Sequence, residues 1–206
     1  MKITYKKGKG DKIHLSADGE YVLTVDETFF YTLGIKENQE VTSSEFNEIA
    51  HKIGERRAYN QAVSYLSRRD HTEREITEKL KLKGYGSYSE EVCSKLKMQG
   101  YLDDERFAKM SIRELMNLKN YGKKRLQQEL VRKGVDREII SELLAETEIP
   151  EDRLKEIIRK KYLRNLDTEK GVQKTINALL RLGYSYGEIR DALKDFSESY
   201  DDYYEV

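Results

Sequence analysis

RLQQELVRKGV at residues 125–135 decides the fold, because the chain carries the same pattern in three places. Aligned on its glycine, it matches EITEKLKLKGY (75–85) and KTINALLRLGY (174–184). Gly84, Gly134 and Gly183 then coincide, and Leu80, Leu130 and Leu179 each stand four residues before them. Ile76 and Leu126 hold the position eight before; Thr175 takes it in the third copy, with Ile176 beside it. Apolar residues at this spacing line one face of a helix. A glycine just past the last of them ends it, since glycine enters the left-handed region without steric cost. These glycines and leucines read as scaffold.

Each glycine is followed by a cap and a second helix. SYSE (87–90) and SYGE (185–188) have capping-box spacing, and Asp136 takes the cap position in the middle copy. The apolar pairs Val92/Leu96, Ile140/Leu144 and Ile189/Leu193 follow at matching places, and the first copy holds two extra residues, Gly86 among them. Each pair of helices is led in by a further helix. The expected fold is therefore mainly α, a tandem array of three three-helix repeats over residues 55–108, 109–149 and 150–196.

Upstream the period changes. Ile13 and Leu15, then Tyr21, Leu23 and Val25, alternate with polar neighbours around a turn at Asp18-Gly19, which predicts a β-hairpin. GKGDK (8–12) forms the preceding turn; it lacks the full phosphate-loop pattern. Asp26 caps a short helix through Phe29 and Phe30 that ends at Gly34. Thr42 and Glu45 open a helix whose stripe (Phe46, Ile49, Ala50, Ile53, Ala58, Ala62, Tyr65, Leu66) continues to about Arg69. Gly54 is the place for a bend or break, setting off an N-terminal module of residues 1–54. Residues 197–206 form an acidic, tyrosine-rich tail.

Of the 206 residues, 37% are hydrophobic and 37% charged, which suits an elongated helical protein with a thin core. Cys93 is the single cysteine, so no intrachain disulfide forms. No apolar run approaches the ~20 residues that span a bilayer, and MKITYKKGKGDK lacks the apolar stretch of a signal peptide. A reducing, cytoplasmic setting is expected. Catalytic residues, metal ligands and cofactor loops do not stand out. His71 reads as a surface turn residue before a Thr72/Glu75 capping box, and Cys93 as half-buried beside Val92 and Leu96. Asp103, Asp104 and Glu105 read as a helix's first turn, where acids oppose the dipole.

Binding has better support. The formal net charge is zero, yet residues 109–146 carry +3, residues 147–206 carry −2, and residues 119–133 hold six bases and one acid, Glu129. On a helical wheel Leu126 and Leu130 face inward, while Lys124, Gln128 and Arg132 run along the opposite side with Arg125 adjoining. Lys123 and Lys133 lie nearer the buried side, where their stems pack. Lys123, Lys124, Arg125, Arg132 and Lys133, with Arg68 and Arg69, form the candidate partner-binding set.

YLSRRDHTEREITEKLKLKGY, GYLDDERFA (100–108), YGKKRLQQELVRKGV and LLRLGYSYGEIRDAL together resemble the RecX family of recombination regulators, in the family's order. LSADGEYVLTVDE and GIKENQEVT resemble the hairpin module of its longer members. Within the most specific element, Gly100, Tyr101, Leu102, Asp103, Arg106 and Phe107 match as structural positions. The resemblance implies a curved array of three-helix repeats and a non-enzymatic regulator; a monomer without cofactor is expected. Its implied partner is RecA, as the RecA filament on single-stranded DNA, whose ATPase, strand exchange and coprotease activities it inhibits. Direct nucleic-acid binding, acting by competition for DNA, is the alternative. Tyr85, Tyr101 and Tyr184 lie beside helix ends and are expected to pack there, which argues against base stacking.

Overall fold

The computed structural model describes residues 1–196; the expected acidic tail lies outside the described residues. The described residues divide into two compact units: Met1–Arg68 with Thr77–Leu96, and Arg69–Ile76 with the described residues from Lys97.

In the first unit, β1 (Lys2–Lys7), β2 (Lys12–Ala17) and β3 (Glu20–Asp26) form an antiparallel meander. Asp18 and Gly19 both have positive φ, 48° and 87°, the turn geometry that matches strand twist. A short strand without a sequence signal, β4 (Gln39–Glu40), pairs with β1 and completes the order β3-β2-β1-β4. Asp26 accepts from the Phe29 amide at 2.8 Å and starts α1 (Glu27–Thr32). Ile3, Ile13, Leu15, Val25, Phe30, Ile35, Val41 and Ile53 make the core.

α2 (Ser43–Leu66) opens with the expected capping box of Thr42 and Glu45. It runs without interruption through Gly54 and stops three residues before Arg69. Gly54 does not bend it: the Tyr88 side chain lies where a Cβ at that position would be. The glycine is there for close packing. Ala58 and Ala62 on α2, Leu80 on α3 (Glu73–Leu82), and Val92, Cys93 and Leu96 on α4 (Ser89–Met98) are buried. Cys93 is wholly buried, deeper than expected, with its sulfur 3.6 Å from Thr77 Oγ1. The expected SYSE box does not form. The two extra residues make room for a 3₁₀ turn, Gly86–Tyr88, and Ser89 Oγ donates to the Gly86 carbonyl at 2.7 Å instead.

In the second unit, α5 (Asp104–Lys119), α6 (Lys123–Lys133) and α7 (Arg137–Glu146) enclose one core of Phe107, Ala108, Ile112, Met116, Leu126, Leu130, Val135, Ile140 and Leu143. Leu143 fills the place expected of Leu144, which packs at the core's margin. α8 (Glu151–Lys161), α9 (Glu169–Leu182) and α10 (Tyr186–Lys194) enclose another around Ile158, Ile176, Leu179, Tyr184 and Ile189. Asp136 caps α7, and Ser185 with Glu188 forms the capping box of α10, as expected. Thr175 is fully buried without disturbing the third repeat, because its hydroxyl donates to the Gly171 carbonyl at 2.9 Å.

The triplicated pattern has a backbone explanation. Gly84, Gly134 and Gly183 have φ of 80°, 86° and 94°. In each copy the residue after the glycine donates its amide to the leucine four before it: Tyr85 to Leu80, Val135 to Leu130, Tyr184 to Leu179. This is the Schellman closure, which satisfies a carbonyl otherwise orphaned at a helix end.

Candidate partner-binding surface

α6 is held at both ends by neighbouring repeats. At its start, the Gly122 and Lys124 amides donate to the Leu182 and Gly183 carbonyls, at 2.8 and 3.3 Å, where α9 ends. At its finish, the Lys133 carbonyl accepts from Thr72 Oγ1 at 2.6 Å, just before α3 begins. Thr72 and Gly122 both stand twelve residues before their repeat glycine, and Lys133 and Leu182 one residue before theirs. One junction rule thus links successive repeats. Thr72 also accepts from the Glu75 amide, so only half of the expected capping box forms, because the Glu75 carboxylate goes to Arg69 instead.

Gly122 makes the second junction possible, since a Cβ there would lie 2.7 Å from the Gly183 carbonyl oxygen. Gly122→Ala is expected to destabilise the chain by about 1–3 kcal/mol, the usual cost of overpacking. Gly187→Ala, where a Cβ meets open space, serves as the control in the same denaturant titration.

The GYLDDERFA segment is a clamp built on the same principle. Asp103 caps its own helix through the Arg106 amide at 2.8 Å. Asp104 reaches to the Glu73 amide at 2.9 Å and caps α3. Burial pushes the Asp104 carboxyl above its ordinary pKa, and the Glu73 amide partly offsets this. Arg106 closes the loop on the Gly100 carbonyl, while Leu102 and Phe107 are buried. His71, expected on the surface, is buried, with Nδ1 2.9 Å from the Arg69 carbonyl, because this segment belongs to the junction. Tyr101 departs the other way: it is 58% exposed.

The five bases of α6 do not form one uniform charged face. Glu129, the lone acid, is only 12% exposed and takes both arginines: Arg125 at 2.9 Å and Arg132 at 2.7 Å. Arg125 also stands over the Tyr121 ring and lies where a Cβ at Gly183 would fall, so it is a junction residue as much as a surface one. Lys133 is half-buried, and its ammonium rather than its stem stands over the Phe107 ring, 5.2 Å from the centroid. Arg69 joins the network, donating to Glu75 at 2.8 Å while Glu75 acts on Arg132. Arg68 is exposed just past α2.

Lys123 and Lys124 remain. Both are exposed, Lys123 more so than its wheel position suggested, and neither is in an ion pair among the described residues. They sit where cations are least favoured. The first turns of α3, α4, α5, α7, α9 and α10 carry acids against the helix dipole, while α6 carries none. The α9 carbonyls at the α6 N-terminus offset that dipole and let two lysines stand there. A local rule broken at an exposed position marks a site selected for something other than stability.

Glu129 therefore governs the patch, and its role was hidden because a sequence does not show that one acid engages the arginines on both sides of it. A hydrogen bond from Arg132 holds its carboxyl below the ordinary pKa, opposed by burial and aided by the charges of Arg132, Arg125 and Lys133. The resulting stability is present above the unfolded carboxylate pKa and lost as pH falls through the lowered native value. Glu129→Gln is expected to cost under ~1 kcal/mol, since Arg132 is largely and Arg125 partly in water. It also adds one net positive charge to the patch. Binding to an acidic partner should tighten and depend more steeply on salt, as titrations at several salt concentrations would show.

No helix among the described residues is long and apolar enough to cross a membrane, and no cluster of three or more metal-ligating side chains occurs among them. Residues 58–96 match the family description "RecX, first three-helix domain", and residues 103–144 "RecX, second three-helix domain". "Regulatory protein RecX" of Caldanaerobacter subterraneus subsp. tengcongensis is 34% identical over 189 residues, covering 91% of this chain and 95% of the relative. That of Clostridium acetobutylicum is 30% identical over 208 residues, covering 96% of each. A crystal structure of a regulatory protein RecX matches with TM-score 0.73 at 24% identity, over 94% of this chain and 97% of the other. RecX from Lactobacillus salivarius matches with TM-score 0.63 at 25% identity, over 69% of this chain and 96% of its own.

Proposed function

The chain belongs to the RecX family, and we propose that it is a non-enzymatic regulator of homologous recombination, acting in the cytoplasm as a monomer without cofactor. Its partner is the RecA filament on single-stranded DNA, whose ATPase, strand exchange and coprotease activities it inhibits. Lys123 and Lys124 at the start of α6 are the leading contacts, supported by their exposure and by the acid-free first turn they occupy. Arg132, Lys133, Arg125 and Arg69 of the same unit contribute, and Arg68, in the other unit, is a separate candidate contact. A filament coated with phosphates is acidic, so this charge favours encounter and docking.

Direct binding to single-stranded DNA is the second reading, and the exposed Tyr101 gives it specific support, since an aromatic ring can stack on a base. The two readings separate on affinity. The chain is expected to bind the RecA filament far more tightly than bare single strands at physiological salt. Equal affinity, with a loss of about 0.7 log unit per log unit of salt for each phosphate contacted, would favour direct DNA binding.

A further inference from the structure

Arg56 on α2 borders a cavity that the carboxylates Asp11 and Asp26 also line, yet it forms an ion pair with neither. Its guanidinium stands over the Phe29 ring, 5.4 Å from the centroid, and its Nε is buried without a hydrogen-bond partner. No ion pair or side-chain hydrogen bond holds it among the described residues. The adjacent Arg57 differs, donating to the Thr24 carbonyl. A guanidinium partly withdrawn from water costs stability unless charge and hydrogen bonds are restored to it. Such a group, kept beside a cavity, is arranged for a ligand.

The cavity it borders measures about 220 Å³, below the roughly 300–1,000 Å³ of typical small-molecule sites. Its apolar lining comes from Val25, Phe29 and Ile53, and Lys12, Arg57 and Asn60 supply the polar side with Arg56. We propose that it receives one carboxylate side chain, Asp or Glu, from an acidic segment of a partner protein. Arg56 grips the two oxygens through parallel N–H bonds, and the apolar lining covers the methylene stem. Phosphate shares the fork geometry, but Asp11 and Asp26 line the same cavity and leave its formal charge at only +1. A single carboxylate brings the formal charges of the lining to zero, whereas a nucleic-acid strand leaves them negative. This site lies in the N-terminal unit and does not depend on the reading of α6.

The test follows the Nε–Hε resonance of Arg56 in the full chain, assigned by its loss in Arg56→Lys. Three probes are titrated separately: a terminally blocked hexaglutamate peptide, a short single-stranded oligothymidylate and inorganic phosphate. The peptide is expected to shift the resonance saturably. Arg56→Gln should weaken peptide binding by about tenfold with circular dichroism unchanged, and Arg56→Lys, which keeps charge without the fork, should recover only part. The proposal is overturned if the resonance ignores the peptide, if oligonucleotide or phosphate moves it at lower concentration, or if Arg56→Gln binds the peptide like wild type. Should Arg56→Gln fail to fold, the wild-type titration decides alone.

Discussion

Replacing Lys123 and Lys124 together with glutamate is expected to lower affinity for the RecA filament by about tenfold or more while leaving stability unchanged. The substitution turns two exposed positive charges into two negative ones, and no ion pair among the described residues is broken by doing so. The α9 carbonyls already offset the α6 dipole, so glutamate gains nothing from it, and at two exposed positions the change in stability should stay within about 0.5 kcal/mol. Lost binding therefore cannot be ascribed to lost fold. The defect should shrink as salt rises, because exposed charges are screened beyond roughly 8 Å at physiological ionic strength. Arg132→Gln should cost less, since Glu129 already holds that guanidinium. A double variant that binds like wild type at low salt would remove α6 from the interface.

The largest stability effect is expected from Leu130→Ala, at about 2–5 kcal/mol. Leu130 is fully buried in the core shared by Phe107, Leu126 and Ile140, and its truncation leaves a cavity that fixed helices cannot close. Its carbonyl also closes the α6 terminus through the Val135 amide at 3.1 Å. Leu82, 86% exposed near the end of α3, is the matched control; Leu82→Ala should stay within about 0.5 kcal/mol. Denaturant titration separates the two. Equal losses would mean that the repeated leucines are not what holds the second repeat together.

Helices and repeats were legible in the sequence because their signals are local. The leucine four before a glycine makes the Schellman bond itself, and Asp136 and Ser185 cap helices that begin at the next residue. The inter-repeat junctions were not legible, since they join residues far apart. Gly122 looks like a loop glycine until the Gly183 carbonyl is found against it, and Asp104 looks like one more first-turn acid until the Glu73 amide is found on it. β4 is too short for alternation to show. The basic run was located by counting charge, but its partition was not. Glu129 divides it into arginines that are paired and lysines that are not, and only the fold shows that division.

The most direct measurement is the rate of ATP hydrolysis by RecA filaments on single-stranded DNA as the chain is added. The account predicts a saturable fall in turnover with wild type, and a curve displaced to about tenfold higher concentration with Lys123→Glu/Lys124→Glu. Unchanged turnover at concentrations where the folded chain is seen to bind the filament would contradict it.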